Sequence, residues 1–133
     1  MKSDELRLGN WVMYNDVLTK IYSISLPLPS ENKHFDNKEI VTLWCNGLID
    51  ATCDEIEPIK LTEQMLLDNG FVLNENGLFK GKDGINILRS GDDWEGVIFN
   101  KTSHCDFYRD KIYLHELQNL YYAVNKKELD FKF

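Results

Sequence analysis

The chain has 133 residues, with 15 Lys or Arg against 22 Asp or Glu and a net charge of −7. Hydrophobic residues make up 43% of it and aromatic residues 12%, enough apolar material for a packed core, which excludes global disorder. The first sixty residues carry 6 basic and 10 acidic side chains and the remainder 9 and 12. Neither half is basic, which disfavours nucleic acid as a partner, because phosphate recognition depends on Lys and Arg.

The first sixty residues read as short strands. Trp11-Val12-Met13-Tyr14 is a β-prone run, and Asn15-Asp16 is a turn pair. A second strand, Val17 to Leu26, alternates, with Ile21, Ser23 and Ser25 on one side and Tyr22, Ile24 and Leu26 on the other. Pro27 to Lys38 is rich in Pro, Asn, Ser and Asp and reads as a loop. Ile40 to Cys45 is the next strand. Asn46-Gly47 then predicts a two-residue type I′ hairpin turn, because both residues tolerate positive φ. Leu48 to Ala51 returns antiparallel, and Glu55 to Ile59 adds a last short strand. Five short strands with one long loop predict an SH3-like β-barrel over residues 1–60 that closes its own edges.

The periodicity changes in the second half. Thr62 is placed as a helix N-cap with Glu63 in the first turn, and Gly70 as the left-handed stop. Phe71 to Leu73, Leu78-Phe79, Ile85 to Leu88 and Val97 to Asn100 read as strands, with Phe107-Tyr108 as a possible addition. Ser90 to Glu95 reads as a loop. Leu114, Leu117, Leu120, Tyr121 and Val124 recur at spacings of three and four, the apolar stripe of an amphipathic helix. The expected whole is α+β: the barrel, then a helix–antiparallel sheet–helix unit over residues 61–133.

Three segments together resemble a known group. Glu5-Leu6-Arg7-Leu8-Gly9-Asn10-Trp11-Val12, Ile56-Glu57-Pro58-Ile59-Lys60-Leu61-Thr62-Glu63 and Leu114-His115-Glu116-Leu117-Gln118-Asn119-Leu120-Tyr121-Tyr122-Ala123 are similar to stretches of an uncharacterised family of phage, prophage and mobile-element proteins of gut Bacteroidetes. The resemblance spans nearly the whole chain. It implies a mobile-element origin and a bacterial cytoplasmic location, and brings no activity or catalytic residue with it. In that family a Thr-Gly pair follows the last helix, whereas Asn125-Lys126 stands here, which affects the turn after it.

Residues able to do chemistry are scattered. Cys45 and Cys53 lack the two-to-four-residue spacing of structural zinc sites, and His104-Cys105-Asp106 has no second pair. The spacing favours free, mostly buried thiols, and no metal or cofactor is implied. In a strand His104 and Cys105 point to opposite faces, which disfavours a nucleophile–base pair. Asp92, Asp93 and Glu95 flank Trp94 and could form a carboxylate site, although acids in a Gly-containing loop usually face solvent. Gly81-Lys82-Asp83-Gly84 lacks the phosphate-loop pattern. The polar segment Met1 to Asn10 lacks a leader-type apolar core, and no run reaches the ~20 apolar residues of a membrane span.

Surface chemistry is the more informative signal. At 100° per residue His115, Gln118, Asn119 and Tyr122 fall together opposite the apolar stripe of the last helix. A polar, uncharged, aromatic-bearing stripe suits a protein partner. The alternative is that Tyr122 packs under the tail against Phe131 or Phe133. Of Trp11 and Trp44 one is expected in the core, and Trp44 is taken as a second partner-binding candidate. The expected function is a non-enzymatic accessory or protein-interaction module. The alternatives are an enzyme with a site around Asp92, Asp93, Glu95, His104 and Cys105, or an acidic nucleic-acid mimic that inhibits a host protein.

Overall fold

The computed structural model describes residues 1–90, 93–99, 103–106, 112–129 and 131–133, with the backbone alone for residues 90 and 103–106. The protein is α+β, with two antiparallel five-stranded sheets and two α-helices among the described residues. Contacts divide the chain into two compact units: Met1–Ile59 with Leu114–Asn119, and Lys60–Tyr113 with Leu120–Phe133. In this division the first half of the last helix, which the sequence reading puts in the second unit, groups with the first.

In the first unit β1 (Trp11–Tyr14), β2 (Val17–Leu28), β3 (Lys38–Trp44), β4 (Leu48–Thr52) and β5 (Ile56–Glu57) form a meander in the order β4-β3-β2-β1-β5. Alternation buries one face: Val12, Ile21, Val41, Leu43, Ala51 and Ile56 make the core. Asn15 and Asp16, with φ of 49° and 61°, form the two-residue turn between Tyr14 and Val17, the primed geometry that matches strand twist. β4 and β5 are the two edges, and among the described residues no pairing closes the sheet into a barrel.

The hairpin at Asn46-Gly47 differs from expectation by one residue. Both residues do take positive φ, but Trp44 pairs with Leu48 across a three-residue connection, and Cys45 N donates to Gly47 O at 2.9 Å. A one-residue slip of register moves a side chain to the opposite face. Leu48 therefore shares a face with Trp44.

The polar contacts of the last helix, α2 (Leu114–Asn125), complete the first unit. Leu114 N donates to Ile59 O at 2.7 Å. Gln118 Oε1 accepts from Trp11 N at 3.0 Å, and its Nε2 donates to Gly9 O at 3.3 Å. Asn119 Oδ1 accepts from Asn10 Nδ2, and its Nδ2 donates to Glu5 O, each at 2.9 Å. The remaining Asn10 oxygen accepts from Arg7 N at 2.7 Å, so this fully buried amide satisfies both of its ends.

In the second unit α1 (Glu63–Asp68) is capped by Thr62, whose hydroxyl accepts from Met65 N at 3.2 Å. Gly70 follows with φ +86°. β6 (Val72–Leu73), β7 (Leu78–Lys80), β8 (Ile85–Ser90), β9 (Asp93–Phe99) and β10 (Ser103–Asp106) form the second meander. Aromatic pairs anchor it: Phe79 with Trp94, Phe99 with Tyr121, and Phe71 with Phe131. The alternating tail docks by burying Leu129 and Phe131, and the Asn69 side chain bonds both backbone groups of Lys132.

Candidate functional site

The expected stripe on α2 lies only in part at the surface. His115 and Gln118 are 2% and 1% exposed. Gln118 and Asn119 spend their amides on the backbone and Asn10 side chain of the first unit. Helical periodicity separated this stripe from the leucines, but His115 and Gln118 within it are covered. Uncharged amides on an otherwise ordinary helix served inward hydrogen bonding rather than an outside partner. Tyr122 is 38% exposed, while Phe131 packs between Phe71 and Phe133.

Of the Asp92–Cys105 group only Asp93 and Glu95 have described side chains. Asp92 and the side chains of His104 and Cys105 lie outside the described residues, as do Phe107 and Tyr108. Asp93 and Glu95 are exposed on strand β9 rather than in a loop, and Trp94 between them is buried, its Nε1 donating to Leu61 O at 3.3 Å. Arg89 stacks over the Trp94 ring at 5.0 Å and pairs with Glu63. Among the described residues no three His, Cys, Asp or Glu side chains stand close enough to share a metal ion. Cys45 and Cys53 are unbridged and half-buried. Burial, with Glu39 nearby, pushes the Cys53 thiol above its ordinary pKa, which is the opposite of nucleophile activation.

What the structure does assemble is a row on the face of the first sheet opposite its core. Trp11 pairs with Lys20, Lys20 with Trp44, and Trp44 with Leu48. Directly opposed side chains share a face about 5 Å apart, so these four stand side by side across β1, β2, β3 and β4 and span about 14 Å. Lys20 Nζ lies 4.9 Å from the centre of the Trp11 ring, a cation–π contact. Trp44 and Leu48 are each 55% exposed. Tyr22, at the irregularity between Ile21 and Ser23, is exposed as well. Trp44 was legible as a candidate, whereas Trp11, Lys20 and Leu48 were missed because the assumed turn put Leu48 on the other face.

Beside this row the face continues to an acidic end. Met13 is two residues from Trp11 on the same face, and pairs with Leu18 on one side and Glu57 on the other. Met13, Asn15, Asp16, Glu55 and Glu57 line a cleft of about 220 Å³. Glu55 caps the short turn after β4, accepting from Thr52 N at 2.9 Å, and meets His34 Nε2 at 2.6 Å. The Thr52 N–H above all, with His34 and the Thr52 hydroxyl, holds its carboxyl below the usual range. No family model, curated protein or solved structure matches the chain.

Proposed function

We propose that the protein is a non-enzymatic protein-interaction module of a phage or mobile element, and that its recognition surface is the Trp11–Lys20–Trp44–Leu48 row. One observation carries the reading: a tryptophan and a leucine, side by side on the sheet, leave over half of their surface in water. A large aromatic in such a position costs hydration free energy unless a partner covers it. Tryptophan is also the residue most enriched among side chains that dominate protein interfaces.

The strand order supports an SH3-like arrangement in which the long β2 runs beside both β1 and β3. A short 3-10 turn, Cys53–Glu55, then delivers β5 back to β1. Such a sheet holds its outward side chains rigidly, which lowers the entropy lost on binding. The acid excess favours a polypeptide over a nucleic acid as the partner.

The test is selection of random peptides on the immobilised protein, followed by titration of the winners against wild type and Trp44→Ala. Loss of a central tryptophan should weaken binding by about 30-fold or more, the equivalent of about 2 kcal/mol. Winners that bind Trp44→Ala as tightly as wild type would overturn the reading.

A further inference from the structure

We infer that this face takes an extended peptide in which an apolar side chain is followed, about four residues away, by a lysine or arginine. The inference rests on the interaction reading above and adds the partner's charge and spacing.

The apolar end is the pair Trp44 and Leu48, the most open part of the row. The other end is the cleft that Met13 shares with Asp16, Glu55 and Glu57. Met13 belongs to both, because it lies on the same face as Trp11 and pairs directly with Glu57. Trp44 and Met13 are two strand spacings apart across the sheet and two residues apart along it, about 12 Å. The centre of the cleft lies a little further on. An extended peptide covers that separation in about four residues at about 3.3 Å each.

Charge fixes the direction of such a peptide. Three carboxylates meet in one cleft, and the hydrogen bonds from Thr52 and His34 keep Glu55 ionised. Neither the Asp16 nor the Glu57 side chain has a hydrogen-bond or ion-pair partner among the described residues. Carboxylates lining an open cleft suit an ammonium or guanidinium group on a long side chain. Lys20 stands in the middle of the row, so a cation placed at the tryptophan end would be repelled. The net −4 of the first sixty residues, from 6 basic and 10 acidic side chains, adds a long-range attraction for a basic segment.

The experiment uses the full chain and peptides selected on it at random. The inference expects most winners to carry Lys or Arg about four residues from an apolar side chain. Asp16→Asn with Glu57→Gln should weaken their binding by about tenfold, with melting unchanged because both groups are exposed. Charge reversal guards against a misfolded variant: Glu57→Lys should bind poorly to the selected peptide and regain affinity when the peptide's basic residue is replaced by Glu. Raising salt from about 0.05 to about 0.5 M should weaken the wild-type complex far more than the neutralised one. Winners that depend on Trp44 yet show no basic enrichment, or bind the neutralised variant equally well, would overturn this inference and leave the interaction reading standing. Failure to select any Trp44-dependent peptide would overturn both.

Discussion

Replacing Gln118 by Met tests whether the first unit depends on the polar contacts of α2. The two side chains have nearly the same length and helix propensity, so the helix itself should be unaffected. What changes is that Trp11 N–H loses its acceptor at 3.0 Å and Gly9 C=O loses its donor at 3.3 Å. Gln118 is almost fully buried, so water cannot readily replace it at Trp11, and an orphaned buried N–H costs about 1–3 kcal/mol. Gly9 is only half-buried, so its carbonyl recovers part of the loss from solvent. The sum is about 2–3 kcal/mol, which for a chain of this length lowers the melting temperature by about 8–12 °C. Calorimetry measures the shift, and amide exchange at β1 and β2 should accelerate with it. A variant within about 0.5 kcal/mol of wild type, the scatter of ordinary surface changes, would refute the reasoning. By the same argument a fragment ending at residue 60 should fail to fold, since it lacks the partners of Glu5, Gly9, Asn10 and Trp11.

Three other outcomes follow from the packing and the ionisable groups. Gly81→Ala should destabilise by about 1–3 kcal/mol in urea titration, because a Cβ there would press on the Phe71 ring and come within 2.9 Å of Ile85 Cγ2. The Glu55 carboxyl has a lowered folded pKa, so its contribution to stability is present above its ordinary value of 4.5 and lost as pH falls through the folded one. The stability gap between wild type and Glu55→Gln should therefore shrink on acidification. Tyr121 behaves oppositely: burial and its bond to Asp83 raise its pKa, so its contribution is present below 10 and lost as pH rises through the folded value. In an absorbance titration one of the six tyrosines should stay neutral until the chain unfolds, and Tyr121→Phe should remove that late step.

Elements whose signals are local were readable in the sequence. Thr62 and Gly70 bound the first helix because capping depends on two or three neighbouring atoms. Val41 and Leu43 alternate with Thr42 and Trp44, which fixes the buried face of β3. Register was not readable, because Asn46-Gly47 is compatible with either a two- or a three-residue connection, and the choice decides where Leu48 points. The row itself has the same cause: Trp11, Lys20, Trp44 and Leu48 are adjacent only through pairing across four strands. The stripe on α2 was misplaced because periodicity locates a face without saying what covers it. Gln118 and Asn119 are polar on account of backbone groups over a hundred residues away in sequence. Lys126 takes a left-handed φ of 57° just after the last helix, so that turn forms without glycine.

The most direct measurement follows the three tryptophans, whose indole N–H signals are resolved by heteronuclear NMR. On titration with a selected peptide, the Trp44 signal should shift first and furthest, with Trp11 following, while the buried Trp94 of the second unit stays in place. A peptide that binds while Trp44 remains unmoved, or that moves Trp94 alone, would contradict the assignment of recognition to this face.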